Sequence, residues 1–338
     1  MKSIKIIGGL VLIASIYACS NDPLDVSIDA NKLEIKYTNL DSLMKNSTDD
    51  KLLSTLFDQR VRIPNVIDYQ VSFCMQAGMI TDTSAFQKLN EYRNNAYVKR
   101  MEKRIDEKFS DLPKRHQKIV DGFKHIQVHL PNAKMPKEII YTNSNYASSA
   151  FCTQDEITMG LERYLGKNTD VIKELPRNQF YDWIKEAMDD QYFERDAVCA
   201  WILTHIVEEK EAANNIETAI IWGKILYLTE AAFPEDPKHI IIRYSEKDYQ
   251  WALDNEKAFW DFLIQQKLLF SSNEADKANL FSEAPFTAGL PMKDAPDRLG
   301  QFLGWRIIQS YMEQNDVTLQ QLVALPYTEL LQSYEINE

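Results

Sequence analysis

Flexible punctuation is scarce in this chain of 338 residues, which has only ten glycines and twelve prolines. Long linkers and low-complexity tracts are thereby excluded, and only Ser20 to Lys32 reads as a tether. Positive charge is also in deficit: the formal net charge is −12 and the pI near 5.0. Counterion-release binding needs clustered Lys and Arg, so a nucleic-acid partner is disfavoured. The basic stretch Arg93–Arg104 is followed by Asp106, Glu107 and Asp111 and reads as a solvated helix face. No GxSxG elbow, P-loop, GxGxxG turn or CxxC pair is present. Of four cysteines, Cys74, Cys152 and Cys199 sit among apolar neighbours. They read as small buried hydrophobes with room for at most one disulfide.

What is present begins at the N-terminus. Lys2 and Lys5 form a short positive region ahead of Ile6–Ile16, an apolar run of eleven residues. That run is too short to span a hydrocarbon core of about 30 Å and suits a signal peptide. It ends Ile16-Tyr17-Ala18-Cys19, with an aliphatic residue at −3 and a small one at −1 before a thiol able to accept lipid. The expectation is a signal peptide over residues 1–18 and acylation of Cys19. Two or more acyl chains anchor a protein stably where one is marginal. Removing residues 1–18 takes away two lysines and no acids, so the net charge of −12 becomes −14.

The remaining chain is long enough to bury a large core, and residues 33–338 read as one domain. Helical periodicity marks Leu40–Leu56, Ser84–Phe109, Pro113–His129, Asn178–Asp189, Glu194–Glu211, Ile216–Ala232, Glu246–Gln266 and Leu299–Gln314. The period changes between Pro136 and Gly160, where Lys137–Thr142, Ala150–Thr153 and Glu156–Gly160 read as strands. His239–Tyr244 reads as a further strand or an extended connection. The expected class is α+β, mostly helical, with a small antiparallel sheet.

Several segments share an order and spacing: Ile157–Gly166 (ITMGLERYLG), Ile220–Phe233, Tyr249–Asn255 with Trp260, Leu268–Ser272, Ala284–Leu290 and Arg298–Met312. In these the chain resembles the gliding-motility lipoprotein B (GldB-type) family of Bacteroidetes over nearly its whole mature length. The same layout is similar to a wider group of zinc proteases carrying a HExxH helix. That chemistry holds Zn on two His one turn apart, with the intervening Glu as general base. The resemblance therefore implies a zinc-protease-like (zincin-like) scaffold with a degenerate active site. His205 stands at the first ligand position, Ile206 at the general base, Glu209 at the second histidine and Trp222 at the ligand position of the next helix.

Two of those functions fall on apolar side chains, so no catalytic residue, metal or cofactor is expected. Any surviving cleft would be walled by His205, Glu208, Glu209, Trp222, Arg298, Gln301 and Trp305. His125 and His129 have metal-pair spacing, but no third ligand lies near them in sequence. Gly300-Gln-Phe-Leu-Gly304 matches GxxxG and reads as close packing in a soluble core. The resemblance implies a membrane-tethered envelope lipoprotein associated with gliding motility. Its partners would be the bilayer, through Cys19, and envelope or motility proteins. The alternative is an envelope hydrolase using His205 and neighbouring carboxylates.

Overall fold

The computed structural model describes residues 22–207 and 212–334. The signal peptide, Cys19, Glu208 and Glu209 lie outside the described residues. Four short strands form one sheet: β1 (Lys36–Asn39), β2 (Glu138–Thr142), β3 (Ala150–Cys152) and β4 (Glu156–Gly160), in the order β1-β2-β4-β3. β1 pairs parallel with β2 and β2 parallel with β4, while only β3 runs antiparallel to β4. The expected antiparallel sheet is therefore a mixed one. The difference has two sources: β4 pairs parallel with β2 while β3 takes the far side of β4, and β1, a four-residue strand that the alternation pattern did not mark, adds a second parallel pair with a partner about a hundred residues away.

Strand β2 is buried along its whole length, and its side chains alternate between two apolar clusters. Ile140 joins Leu52, Leu56, Ile63, Ile67 and Val71 of the first helices. Ile139 and Tyr141 face the opposite way with Ile157 and Met159, into the larger cluster that holds Phe193, Trp201, Ile225, Phe302 and Trp305. The sheet is thus the partition between a small N-terminal core and the main helical one.

Capping side chains divide several of the expected helices. Asn95 accepts hydrogen bonds from the N–H groups of Tyr97 and Val98, which ends Ala85–Asn94 and starts Ala96–Lys108. Ser47 and Thr48 separate Leu40–Asn46 from Asp49–Arg62, and Asn255 separates Glu246–Asp254 from Glu256–Gln265. Asn178–Asp189 contracts to a helix over Asp182–Glu186. The long helices Leu112–His129, Asn215–Ala232 and Leu299–Gln314 lie where the periodicity put them. Thr318 and Gln321 form a reciprocal capping box at the start of Leu319–Ala324.

His239–Tyr244 is neither strand nor extended connection. Pro237 opens a helical turn over Lys238–Ile241, which Arg243 ends in the left-handed region at φ 58°. All three described cysteines are free. Among the described residues no helix is long and apolar enough to cross a membrane.

Candidate functional site

The parallel strands β1, β2 and β4 end at one edge of the sheet, and polar residues follow each of them. Carboxyl ends of parallel strands are where open α/β sheets place their ligands. Asp41 follows β1, Asn143-Ser144-Asn145 follow β2, and Glu162 follows β4; Asp41, Asn143, Ser144 and Glu162 are all buried. Gly160 ends β4 because a Cβ there would lie 2.3 Å from the Ser148 carbonyl oxygen and 2.7 Å from Ser144 Oγ.

Glu162 is fully buried and organises the loop after β2. Its carboxylate accepts from the Ser144 N–H at 3.0 Å, the Tyr146 N–H at 2.8 Å and the Ser144 hydroxyl. Burial nevertheless pushes the Glu162 carboxyl above its ordinary range, with these donors working against the shift. Beside it, burial and the neighbouring Glu102 raise Asp41 to about 7, while Lys45 pulls it down. No hydrogen bond or ion pair reaches the Asp41 carboxylate among the described residues. Glu102 is itself raised by burial, against the pull of Lys45.

Several buried polar atoms around these acids have no partner: Gln70 Oε1, Tyr92 OH, Thr142 Oγ1 and Asn143 Nδ2. Such orphans are rare in proteins and mark places where polar groups are held for a purpose or face unseen solvent. Backbone irregularity gathers here too. Gln70–Cys74 is a π-helical turn, a feature common at functional sites. Gln76, Asn145 and Tyr146 all have positive φ, at 53°, 52° and 65°. Burial and Glu162 push the Cys74 thiol up to about 12, so it is a poor nucleophile.

The chamber approaches the surface at Glu102, which lines a cavity of about 360 Å³ together with Lys45, Arg93, Lys99 and Lys103. Among the described residues no three His, Cys, Asp or Glu side chains are grouped to hold a metal ion. The arrangement can store protons and order polar groups.

The sequence directs attention elsewhere, to the residues expected to wall a cleft, of which Glu208 and Glu209 lie outside the described residues. His205 lies on a π-helical turn, Ile202–Ile206, that continues Phe193–Trp201. Its ring stacks flat on Trp201, with centroids 3.6 Å apart and planes at 5°, and its Nδ1 lies 2.8 Å from Thr204 Oγ1. Burial and then Lys134 lower its pKa, which favours the neutral ring. Trp222 is half-buried and packs on the main core. Trp305 is fully buried and donates to Glu230 Oε2 at 2.7 Å, and Gln301 donates to the Phe281 carbonyl at 2.7 Å.

The Asn215–Ala232 and Leu299–Gln314 helices are in direct contact. A Cβ on Gly223 would meet the Gly304 carbonyl oxygen at 2.2 Å, and one on Gly304 the Ala219 carbonyl oxygen at 1.7 Å. The two glycines let backbone touch backbone. The GxxxG pattern is therefore a packing device, as its polar neighbours implied. Arg298 lines a cavity together with Arg243. His125 Nδ1 has no partner, and His129 Nε2 lies 3.1 Å from the Leu24 carbonyl oxygen. His116 is a structural residue, bridging Tyr141 OH at 2.9 Å and the Ile35 carbonyl at 2.8 Å.

A family model described as the gliding motility protein GldB, a lipoprotein family, matches residues 21–335. The chain belongs to the GldB family. No curated protein and no solved structure matches it. The matched span includes the acid chamber and the helices of Gly223 and Gly304. The GldB signature segment at Ile157–Gly166 carries Glu162, so this site lay inside a recognised stretch. Its chemistry was hidden because Asp41 and Glu102 are distant in sequence and resemble ordinary helix-surface acids.

Proposed function

We propose that this GldB-family chain is a lipid-anchored, non-catalytic component of the cell envelope that serves gliding motility through protein contacts. The observation that carries the reading is the family match over residues 21–335, together with the apolar Ile206 and Trp222 at positions where the resemblance puts a general base and a metal ligand. His205 is stacked flat on Trp201. A zinc-protease-like origin of the scaffold belongs to the same proposal and rests on the sequence order of His205, Ile206 and Trp222.

Support for protein contacts comes from the N-terminal helices, where Phe57 and Val61 lie one turn apart at 39% and 88% exposure, and Phe73 is 62% exposed. Apolar side chains of this size left in water on neighbouring elements favour a partner surface.

The anchor is tested by Cys19→Ser in a strain lacking the native gene. The altered protein is expected to keep its signal peptide and to incorporate no labelled fatty acid, with colony spreading lost or strongly reduced. A Cys19→Ser protein that is still cleaved, still incorporates labelled fatty acid and supports normal spreading would refute the lipid-anchor reading.

A further inference from the structure

Most of the segment that reads in sequence as a tether is packed against the body. Leu24 is 3% exposed and belongs to the main apolar cluster. A turn just ahead of it is closed by the Asp25 N–H on the Asp22 carbonyl at 2.9 Å and by the Leu24 N–H on the Asp22 carboxylate at 3.0 Å.

From that turn the chain runs as a strap along helix Leu112–His129, from the helix's C-terminal end towards its start. The Leu24 carbonyl lies 3.1 Å from His129 Nε2, and Asn31 Nδ2 donates to the Lys124 carbonyl at 3.3 Å. The Ile35 carbonyl lies 2.8 Å from His116 Nε2. His116 and His129 are about 20 Å apart along the helix axis, so the strap is fastened at both ends and between them. Ile35 is itself buried and leads directly into β1.

The strap limits how far the body can stand from an anchor at Cys19. Only Ser20 and Asn21 separate Cys19 from the turn at Asp22, a reach of at most about 11 Å when fully extended. A compact chain of this length has a radius of gyration of about 20 Å. The reach is thus much shorter than the body is wide, and it decides which end of the body lies next to lipid. That end carries the last turn of helix Leu112–His129 with the exposed Val128, followed by the exposed Pro131 and Asn132.

Charge does not do this work. The cavity beside the strap is mildly acidic, with Asp25, Asp121, Glu235 and Asp236 against Lys114 and Lys118, so attraction to anionic lipid is not what holds this end down. The apolar surface of the N-terminal helices lies elsewhere. Ile119, Phe123 and Ile126 of the strapped helix pack with Ile139 and Tyr141 on one face of the sheet. Leu52 and Leu56 of helix Asp49–Arg62 pack with Ile140 on the other. The exposed Phe57 and Val61 of that second helix are therefore across the sheet from the strap.

We propose that the bilayer surface lies against the strapped, C-terminal end of helix Leu112–His129, and that Phe57 and Val61 are held away from lipid, open to a protein partner. The proposal rests on the lipid-anchor reading and adds to it the face that meets the membrane.

The test places a donor dye on Val128→Cys or, for comparison, on Val61→Cys, a position 88% exposed. Each full chain is made and processed in its native host, then reconstituted into phosphatidylcholine vesicles carrying a rhodamine-labelled lipid. Wild-type chain taken through the same labelling sets the background from Cys74, Cys152 and Cys199. Energy transfer to the lipid is expected to be at least twofold greater from Val128→Cys than from Val61→Cys. A Gly-Ser insert of about 20 residues after Ser20, adding about 25 Å of mean reach, should abolish that difference. Equal transfer from the two positions, greater transfer from Val61→Cys, or a difference that survives the insert would each overturn the proposal. Fatty-acid incorporation and flotation with the vesicles are read on the same samples. A chain that takes up no fatty acid and does not float refutes the lipid-anchor reading and this proposal with it. An acylated chain that floats but shows equal transfer refutes this proposal alone.

Discussion

Replacing Gly304 with Val is expected to abolish accumulation of folded protein. The added Cβ would fall 1.7 Å from the Ala219 carbonyl oxygen and 2.4 Å from its carbon. Both neighbours are backbone and cannot swing aside. Ordinary overpacking of a core costs about 1–3 kcal/mol. Here two long helices must separate, opening the Trp305 and Phe302 layer of the core, so the loss should exceed about 4 kcal/mol. Purified yield and thermal unfolding check this. The exposed control Val61→Ala should unfold within a degree or two of wild type. A Gly304→Val protein as stable as that control would show that the helices do not meet as described.

Asp41→Asn should act in the opposite direction, and increasingly so as pH rises from about 4 to 7. The folded-state carboxyl is raised from 3.8 to about 7. Between those values the folded chain binds more protons than the unfolded one, so stability falls as pH rises through that window. A shift of this size corresponds to roughly 2–4 kcal/mol lost by pH 8. The asparagine variant removes the ionisation and its desolvation. It should be the more stable protein at pH 8, and its advantage should shrink towards nothing at pH 4. Glu102 and Glu162 are raised as well, so part of the wild-type pH dependence should persist in the variant. Denaturant unfolding across this range measures both parts. An Asp41→Asn protein no more stable than wild type at pH 8 would mean that the chamber is better solvated than its burial indicates.

Much of the architecture was legible in sequence because it rests on local periodicity. Leu112–His129, Asn215–Ala232 and Leu299–Gln314 carry enough apolar repeats to declare themselves, and β2 and β4 stand out by composition. The breaks within helices were less visible. Asn95, Ser47-Thr48 and Asn255 cap one helix and end another, yet the apolar period runs straight across them. β1 escaped notice because four residues give almost no pattern, and parallel pairing to a strand about a hundred residues distant leaves no local trace.

The site was harder still. The acid chamber is built by tertiary convergence of Asp41, Glu102 and Glu162, none of which sits in a chemical motif. Sequence order pointed instead to the helix of His205, whose neighbours Glu208 and Glu209 lie outside the described residues. Gly300 and Gly304 announced close packing, but which helix they pack against is written only in the fold.

The account's central claim, action by contact and not by cleavage, is tested most directly by complementation. The gene is replaced in its native host by a version carrying His205→Ala, Glu208→Gln and Glu209→Gln together, and colony spreading is measured at matched protein abundance and membrane attachment. The account predicts spreading indistinguishable from wild type. A protein that is abundant, folded and anchored but no longer supports spreading would contradict it and place an enzyme at His205.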